Sequence, residues 1–125
     1  MRNEDRVRLE HMIEAAESAI QFISGRGRSD LETDRMLLFA VVRAIEIVGE
    51  AASRITDETC AAEPAIPWHA IVGMRNRLIH AYFEVNAQIV WETVTVELPA
   101  LLPMLRTLAA TRQEASRPGL RGDPE

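Results

Sequence analysis

Residues 36–50 read MLLFAVVRAIEIVGE, and this stretch decides the fold that the chain can adopt. Its apolar run from Met36 to Val42 is the longest in the chain and is far too short to span a membrane. The apolar residues cover more than one stripe of a helix, so the helix must be buried on more than one side. In a domain of this size, we expect the second buried side to be a subunit interface.

Helical patterns continue on both sides of this stretch. Ser29 followed by Glu32 matches a capping box, which predicts a second helix from there to about Ile55. Before it, apolar residues recur at three- and four-residue steps over residues 4–24, which predicts an amphipathic first helix.

Further along the chain, Pro67 suits the first position of a third helix, and Asn86 can cap a fourth. The helical pattern then continues to about Arg112. Pro99 and Pro103 should kink or divide this last helix, because each proline removes a backbone hydrogen bond. The sequence has no strand pattern and no internal repeat, so it predicts an all-α bundle.

Length and composition agree with one domain. The 125 residues are 47% hydrophobic and 26% charged, which is typical of a globular protein. We place the domain at residues 1–115 and a flexible tail at residues 116–125, where the periodicity ends. Cys60 is the only cysteine, so no internal disulfide is possible, and the charged N-terminus lacks an apolar signal segment. We expect a cytoplasmic protein without a membrane partner.

The net charge of −5 restricts the kind of nucleic-acid contact that the chain can make. A protein that binds nucleic acid over a wide surface usually carries a basic face. The acidic balance therefore argues against extended RNA coating, but it permits a local arginine-lined cleft or a basic protein partner.

Residues 75–82 read RNRLIHAY and concentrate the groups that phosphodiester chemistry needs. The guanidinium groups of Arg75 and Arg77 offer planar forks of donors that suit phosphate. The imidazole of His80 can take and give a proton near neutral pH. Guanidinium groups that can bind a phosphate, beside an imidazole that can transfer a proton, predict chemistry on RNA.

On a straight helix, His80 lies beside Asn76 and Arg77, whereas Arg75 points to another side together with Tyr82. Arg75 and His80 can then act on one phosphate in two ways. Either the helix ends near His80, or the two side chains meet across a dimer interface. Arginine and histidine near a helix end can also serve only to interact with the helix dipole, and this alternative stays open.

No metal or cofactor is predicted. His11, His69 and Cys60 have no metal-ligand spacing, and structural or solvent roles suit the two histidines. Glu46 and Glu50 share a helix face, but no Glu-x-x-His motif accompanies them, so we favour ion pairs with arginine.

The run from Met74 to Tyr82 resembles the Arg-x4-His-x-Tyr motif of HepT-like toxins, which belong to the HEPN superfamily of helical ribonucleases. The resemblance implies a HEPN-type antiparallel bundle of four to five helices. It extends to three further segments, which are Gly49-Glu50-Ala51, Pro67-Trp68 and Phe83-Glu84-Val85-Asn86.

The resemblance further implies a metal-independent endoribonuclease that works as a homodimer, with two motifs meeting at the interface. By position in the motif, Arg75 would bind the scissile phosphate with Asn76 beside it. His80 would be the acid or base that assists attack by the RNA 2′-hydroxyl, leaving a cyclic phosphate. Arg77 is not fixed by the motif, but its place beside His80 on a helix suggests a second phosphate contact.

The implied partner is a minimal nucleotidyltransferase antitoxin, which neutralises the toxin by adding AMP to the motif tyrosine, here Tyr82. We therefore favour the ribonuclease toxin of a toxin–antitoxin module. The alternative is a catalytically silent HEPN domain that binds a nucleotide or a nucleotidyltransferase.

Overall fold

The computed structural model describes residues 1–81 and 84–116, and the side chains of residues 1–78 and 85–110. Helices dominate this part of the chain, which confirms the all-α prediction. None of the helices in it combines the length and the apolar character that crossing a bilayer requires. The elements follow in the order α1 (Asn3–Phe22), α2 (Arg28–Thr33), α3 (Arg35–Ser53), α4 (Asp57–Ala62), α5 (Trp68–Val72), α6 (Met74–Leu78), β1 (Ile79–Ala81), β2 (Glu84–Val85), α7 (Ala87–Glu92), a π-helical segment (Thr93–Glu97) and α8 (Leu98–Ser116).

The hydrophobic core lies where α1 packs against α3 and α8. The first helix spans nearly the predicted residues, and its apolar stripe points inward as its periodicity requires. Burial of each large aliphatic side chain stabilises the fold by about 1.5–3 kcal/mol. Fully buried side chains from all three helices include Leu9, Met12, Ile45, Val48, Leu98 and Leu105.

The predicted second helix is divided in two, and the proposed capping box is wrong. Gly27 precedes α2, and its backbone N–H donates to the Asp30 carboxylate over 2.7 Å, so Ser29 already lies inside the helix. The break at Asp34 has a local cause. The Asp34 side chain accepts a hydrogen bond from the backbone N–H of Leu37 at 3.1 Å, which starts α3 anew.

A buried carboxylate joins the start of α1 to the start of α4. Asp5 is 1% exposed and accepts hydrogen bonds from the backbone N–H of Thr56 and from the hydroxyls of Thr56 and Thr59, at 3.0, 2.7 and 2.6 Å. Burial raises the pKa of Asp5, but these hydrogen bonds outweigh burial and hold the pKa below its ordinary value. The ionised carboxylate therefore stabilises the fold.

The predicted third helix ends earlier than a straight helix through the motif requires. Pro67 lies directly before α5, whose first residue is Trp68, so the prediction of Pro67 as the first helical residue was wrong by one position, and α6 ends at Leu78. Residues 79–81 are extended and form a short antiparallel hairpin with β2, in which Ile79 pairs with Val85. The sequence predicted no strand, and that prediction was wrong for this segment. A strand of three residues that pairs with a strand of two is too short to show an alternating pattern of apolar and polar residues.

The last predicted helix begins as expected and is divided close to its first proline. Asn86 caps α7 by accepting hydrogen bonds from the backbone N–H groups of Gln88 and Ile89. The π-helical segment ends directly before Leu98 and Pro99, where the proline ring would clash with an ordinary helical turn. Pro103, by contrast, lies inside α8 without a break in the assigned helix. Of the predicted tail, Ser116 is the last residue of α8, and the remainder lies outside the described residues.

Candidate active site

Arg75 projects from α6 towards the C-terminal half of α3. Its Nη1 lies 3.6 Å from Oε2 of Glu50, and its side chain is 48% exposed. The same Glu50 oxygen lies 3.5 Å from Nη1 of Arg43, which also pairs with Glu46 at 3.3 Å. These contacts confirm the prediction that Glu46 and Glu50 pair with arginine. Because two guanidiniums share Glu50, its carboxylate neutralises Arg75 only in part.

Gly49 lies where α3 meets the α5–α6 junction. A Cβ atom at this position would lie 3.4 Å from the carbonyl oxygen of Ile71 and 4.0 Å from Cβ of Arg75. These are ordinary van der Waals distances, so the α3 backbone packs close to α5 and α6 here with room for little more than a methyl group.

Arg77 faces a different part of the fold. Its guanidinium makes a two-pronged contact with Glu97 at the end of the π-helical segment, with Nη2–Oε1 and Nη1–Oε2 distances of 2.9 and 3.5 Å. Arg75 and Arg77 thus point to separate neighbours, as their helical spacing predicted. Asn76, between them, is exposed, and its side chain forms no hydrogen bond with the described residues.

His80 lies in β1, two residues after α6 ends at Leu78. The helical stripe predicted through residue 82 is therefore wrong beyond Leu78, and the alternative that the helix ends near His80 agrees with the backbone. The His80 side chain and the whole of Tyr82 lie outside the described part of the structure. Their predicted roles stay predictions.

Cys60, His11 and His69 have ordinary surroundings. Burial raises the pKa of the Cys60 thiol, and the carboxylates of Asp57 and Asp5 raise it further, so the thiol is not activated as a nucleophile. His69 is exposed on α5, and His11 is exposed on α1. In the ranges described, no three His, Cys, Asp or Glu side chains are grouped as metal ligands would be.

A groove between α1 and α3 holds charged side chains that the sequence analysis did not single out. Its apolar end is about 580 Å³ in volume and includes Phe22, and its polar end is about 310 Å³. Arg8, Arg43 and Arg54 line the polar end together with Glu50. These arginines lie apart in the sequence, so only the packing of α1 on α3 reveals that they share one site.

The comparisons with known proteins agree with the motif. A family model described as Ribonuclease HepT-like matches residues 12–108. The chain belongs to the HepT-like ribonuclease family. This confirms the resemblance to HepT-like members of the HEPN superfamily. The matched region of this HepT-like chain contains Gly49, Glu50, Arg75 and His80, whereas Arg8 precedes it.

Relatives from bacteria and archaea match the same part of this HepT-like chain. A protein of Caldanaerobacter subterraneus subsp. tengcongensis that is named as an RNase is 41% identical over 93 residues, which cover 74% of this chain and 83% of the relative. A protein of Thermococcus cleftensis that is named as a ribonuclease HepT is 40% identical over 93 residues, with coverage of 74% and 84%. A protein of Methanocaldococcus jannaschii that is named as an RNase is 33% identical over 90 residues, with coverage of 72% and 83%. No solved structure matches the chain significantly.

Proposed function

We propose that this chain is a metal-independent endoribonuclease that cleaves RNA as a homodimer and serves as the toxin of a toxin–antitoxin module. Membership of a ribonuclease family supports RNA as the substrate. The observation that carries the site assignment is the position of Arg75. Its guanidinium is half exposed at the start of the motif, and its contact with Glu50 is 3.6 Å long, so its N–H donors can turn to a phosphate.

In the proposed reaction, the RNA 2′-oxygen attacks the adjacent phosphorus atom while its proton passes to a base. The bond from phosphorus to the 5′-oxygen breaks, and this oxygen takes up a proton. The products are a 2′,3′-cyclic phosphate and a 5′-hydroxyl. His80 acts as the base or the acid, and such proton transfer contributes about 10²- to 10⁴-fold to the rate. Arg75 stabilises the charge that develops on the phosphate oxygens, with Asn76 beside it.

The outer face of α3 supports the homodimer. Met36 and Phe39 are 83% and 55% exposed, although they are apolar, and they share this face with Arg43, Glu46 and Glu50. A two-fold axis brings identical surfaces together, so the exposed apolar end at Met36 and Phe39 can pack against its own copy and leave Arg43 and Glu50 open at the edge of the interface. A dimer built on α3 also places both copies of Arg75 close to the interface, because Glu50 contacts Arg75 in each subunit.

The proposed partner is a minimal nucleotidyltransferase antitoxin that adds AMP to Tyr82. A nucleotide on this residue adds bulk and negative charge next to the motif, where the RNA phosphate must bind. Co-expression of the chain with the nucleotidyltransferase should add nucleotide mass to a peptide that contains Tyr82. An unchanged mass for that peptide would remove the antitoxin proposal but not the nuclease proposal.

The decisive experiment compares wild-type protein, free of any antitoxin and unmodified, with His80→Ala on single-stranded RNA. Wild-type protein should sediment as a dimer and leave cyclic phosphate ends without added divalent metal, in the presence of EDTA. His80→Ala should sediment as a dimer with the same thermal stability and should cleave about 10²- to 10⁴-fold more slowly.

Intact RNA after incubation with unmodified wild-type dimer would contradict the nuclease assignment. It would favour the silent HEPN domain, whose function is to bind a nucleotidyltransferase or a nucleotide.

A further inference from the structure

The polar end of the α1–α3 groove, here named the arginine pocket, is lined by Arg8, His11, Arg43, Glu50 and Arg54. The chain as a whole carries a net charge of −5, so this concentration of guanidinium groups is local. The lining holds three arginines and one carboxylate, that of Glu50, which Arg75 contacts as well. The surroundings of the pocket are therefore positively charged.

Most other arginines with described side chains are held by carboxylates of the chain itself. Arg26 pairs with Asp34, Arg28 with Glu32, and Arg106 with Glu17. Arg8 and Arg54 differ from them, because neither side chain forms an ion pair or hydrogen bond with the residues that the structure describes. The Nε atom of Arg8 is moreover buried and has no hydrogen-bond partner there.

A buried donor on a charged group is costly when it has no acceptor. An anion in the arginine pocket would offset part of this cost, because it would neutralise the charges of Arg8 and Arg54, which no carboxylate of the described residues pairs with. Phosphate suits the pocket because a guanidinium binds its oxygens through parallel N–H donors. Glu50 places this pocket next to Arg75, since its carboxylate lines the pocket and contacts the Arg75 guanidinium.

We propose that the arginine pocket binds a backbone phosphate of the RNA strand next to the scissile phosphate held at Arg75. The strand would then run from the motif across Glu50 and Arg43 to the groove between α1 and α3. Arg54 and Arg8 contact the second phosphate. This inference rests on the proposed ribonuclease function, and it adds a binding site that lies outside the Arg-x4-His-x-Tyr motif.

The test measures RNA affinity without cleavage. The probe is a short fluorescent single-stranded RNA with 2′-O-methyl groups, which lacks the attacking hydroxyl, and binding is followed by anisotropy between about 50 and 200 mM salt. Arg54→Ala should weaken binding about tenfold and lower the salt slope by roughly 0.7, the value for one phosphate contact on a single strand. Arg8→Met, which keeps the apolar stem, should have a similar effect.

Arg28→Ala is the matched control, because it removes the same charge from an exposed arginine that pairs with Glu32 on α2. It should bind the probe like wild-type protein. Thermal unfolding of each variant shows whether the fold is kept, and Arg54→Ala alone decides the outcome if Arg8→Met does not fold. Equal affinities and salt slopes for Arg54→Ala and Arg28→Ala would overturn the proposal, as would wild-type protein that does not bind the probe.

A second binding experiment tests whether the arginine pocket prefers phosphate groups to carboxylate groups. Polyglutamate of matched charge should bind much more weakly than the RNA and should not respond to Arg54→Ala. If polyglutamate binds as tightly as the RNA and Arg54→Ala removes that binding, the phosphate assignment is overturned and the pocket is assigned to an acidic protein surface.

A cleavage assay on unmodified RNA separates this inference from the proposed function. Cleavage by wild-type protein with no effect of Arg54→Ala on the probe would reject the pocket alone.

Discussion

Arg75 and Arg77 lie two residues apart on α6, and both side chains are 48% exposed, yet their surroundings differ. Arg77 has one carboxylate to itself and engages both oxygens of Glu97, the closer at 2.9 Å. Arg75 shares Glu50 with Arg43, and its closest contact is 3.6 Å. Exposure alone therefore does not distinguish the two arginines, whereas the number of cations at each carboxylate does.

The difference teaches which arginine can turn to a substrate. An RNA phosphate that approaches Arg77 must compete with the Glu97 carboxylate for both Nη groups of the guanidinium. At Arg75 the phosphate meets a guanidinium that is only partly neutralised, beside a second cation on Arg43. We propose that Arg75 binds the scissile phosphate, while Arg77 contributes a weaker supporting contact.

The largest expected effect tests this comparison directly. Arg75→Ala should lower kcat/KM for RNA cleavage by about 10²- to 10³-fold, because it removes a charged donor to the developing phosphate charge. Arg77→Ala removes the same charge two residues away and should cost less than about fivefold, since an exposed ion pair contributes at most about 1 kcal/mol. Steady-state kinetics and thermal unfolding of both variants measure the result. Losses of similar size would contradict the distinction between the two arginines.

A smaller effect is expected when Glu50, whose carboxylate contacts Arg75, is made neutral. Glu50→Gln keeps the size of the side chain but holds Arg75 less firmly, so kcat should fall about tenfold through loss of orientation. KM for RNA should not rise, because the substitution also removes a negative charge from the proposed path of the strand.

Glu46→Gln is the matched control for Glu50→Gln. Glu46 lies on the same helix and pairs with Arg43 in the same way, but no contact joins it to Arg75. Its kcat should stay within about twofold of the wild-type value, as expected for an exposed pair. A parallel fall of kcat in both variants would show that Glu50 supports α3 in general and does not orient Arg75.

The smallest effect on activity is expected at Asp5, whose carboxylate accepts hydrogen bonds from Thr56 and Thr59 and lies outside the motif. The pKa of Asp5 in the folded protein lies below its ordinary value, so its stabilisation is present above about pH 4 and is lost as the pH falls through the folded pKa. Asp5→Asn should lower the melting temperature at pH 7 and should leave kcat at 25 °C unchanged.

Unfolding curves recorded as the pH is lowered from 7 to well below 4 provide the measurement for Asp5. The stability difference between wild-type protein and Asp5→Asn should shrink below about pH 4, since the wild-type carboxyl becomes protonated there. Asp34, whose hydrogen bond with Arg26 lowers its pKa, remains in both proteins and cancels from the difference. A difference that stays constant over this range would contradict the role assigned to the ionised carboxylate.

Much of the fold could be predicted because it depends on local chemistry. The amphipathic stripe of α1 and the Asn86 cap of α7 follow from neighbouring residues, and both predictions are confirmed. The capping box at Ser29 failed for an equally local reason. Asp30, with its shorter side chain, binds the backbone N–H of Gly27 and starts α2 earlier.

The candidate site could be predicted only in part. The motif predicts Arg75 and His80 as site residues, and this assignment stays a prediction. The helical projection separated Arg75 from Arg77 correctly, but it failed beyond Leu78, because β1 pairs with β2, a segment that helical spacing does not relate to it. The pairing of Glu97 with Arg77 joins residues that are 20 apart and left no periodic signal.

The sequence by itself determined the helical fold class, the extent of several helices and the residues of the motif, because helix formation and capping act over a few residues. Only the tertiary structure decided that Gly49 lies beside α5 and α6, that Glu50 contacts two arginines, and that Arg8 and Arg54 share a pocket. The physical reason is that periodicity shows which side of a helix is buried. It does not show which other helix covers that side, or which charges then meet.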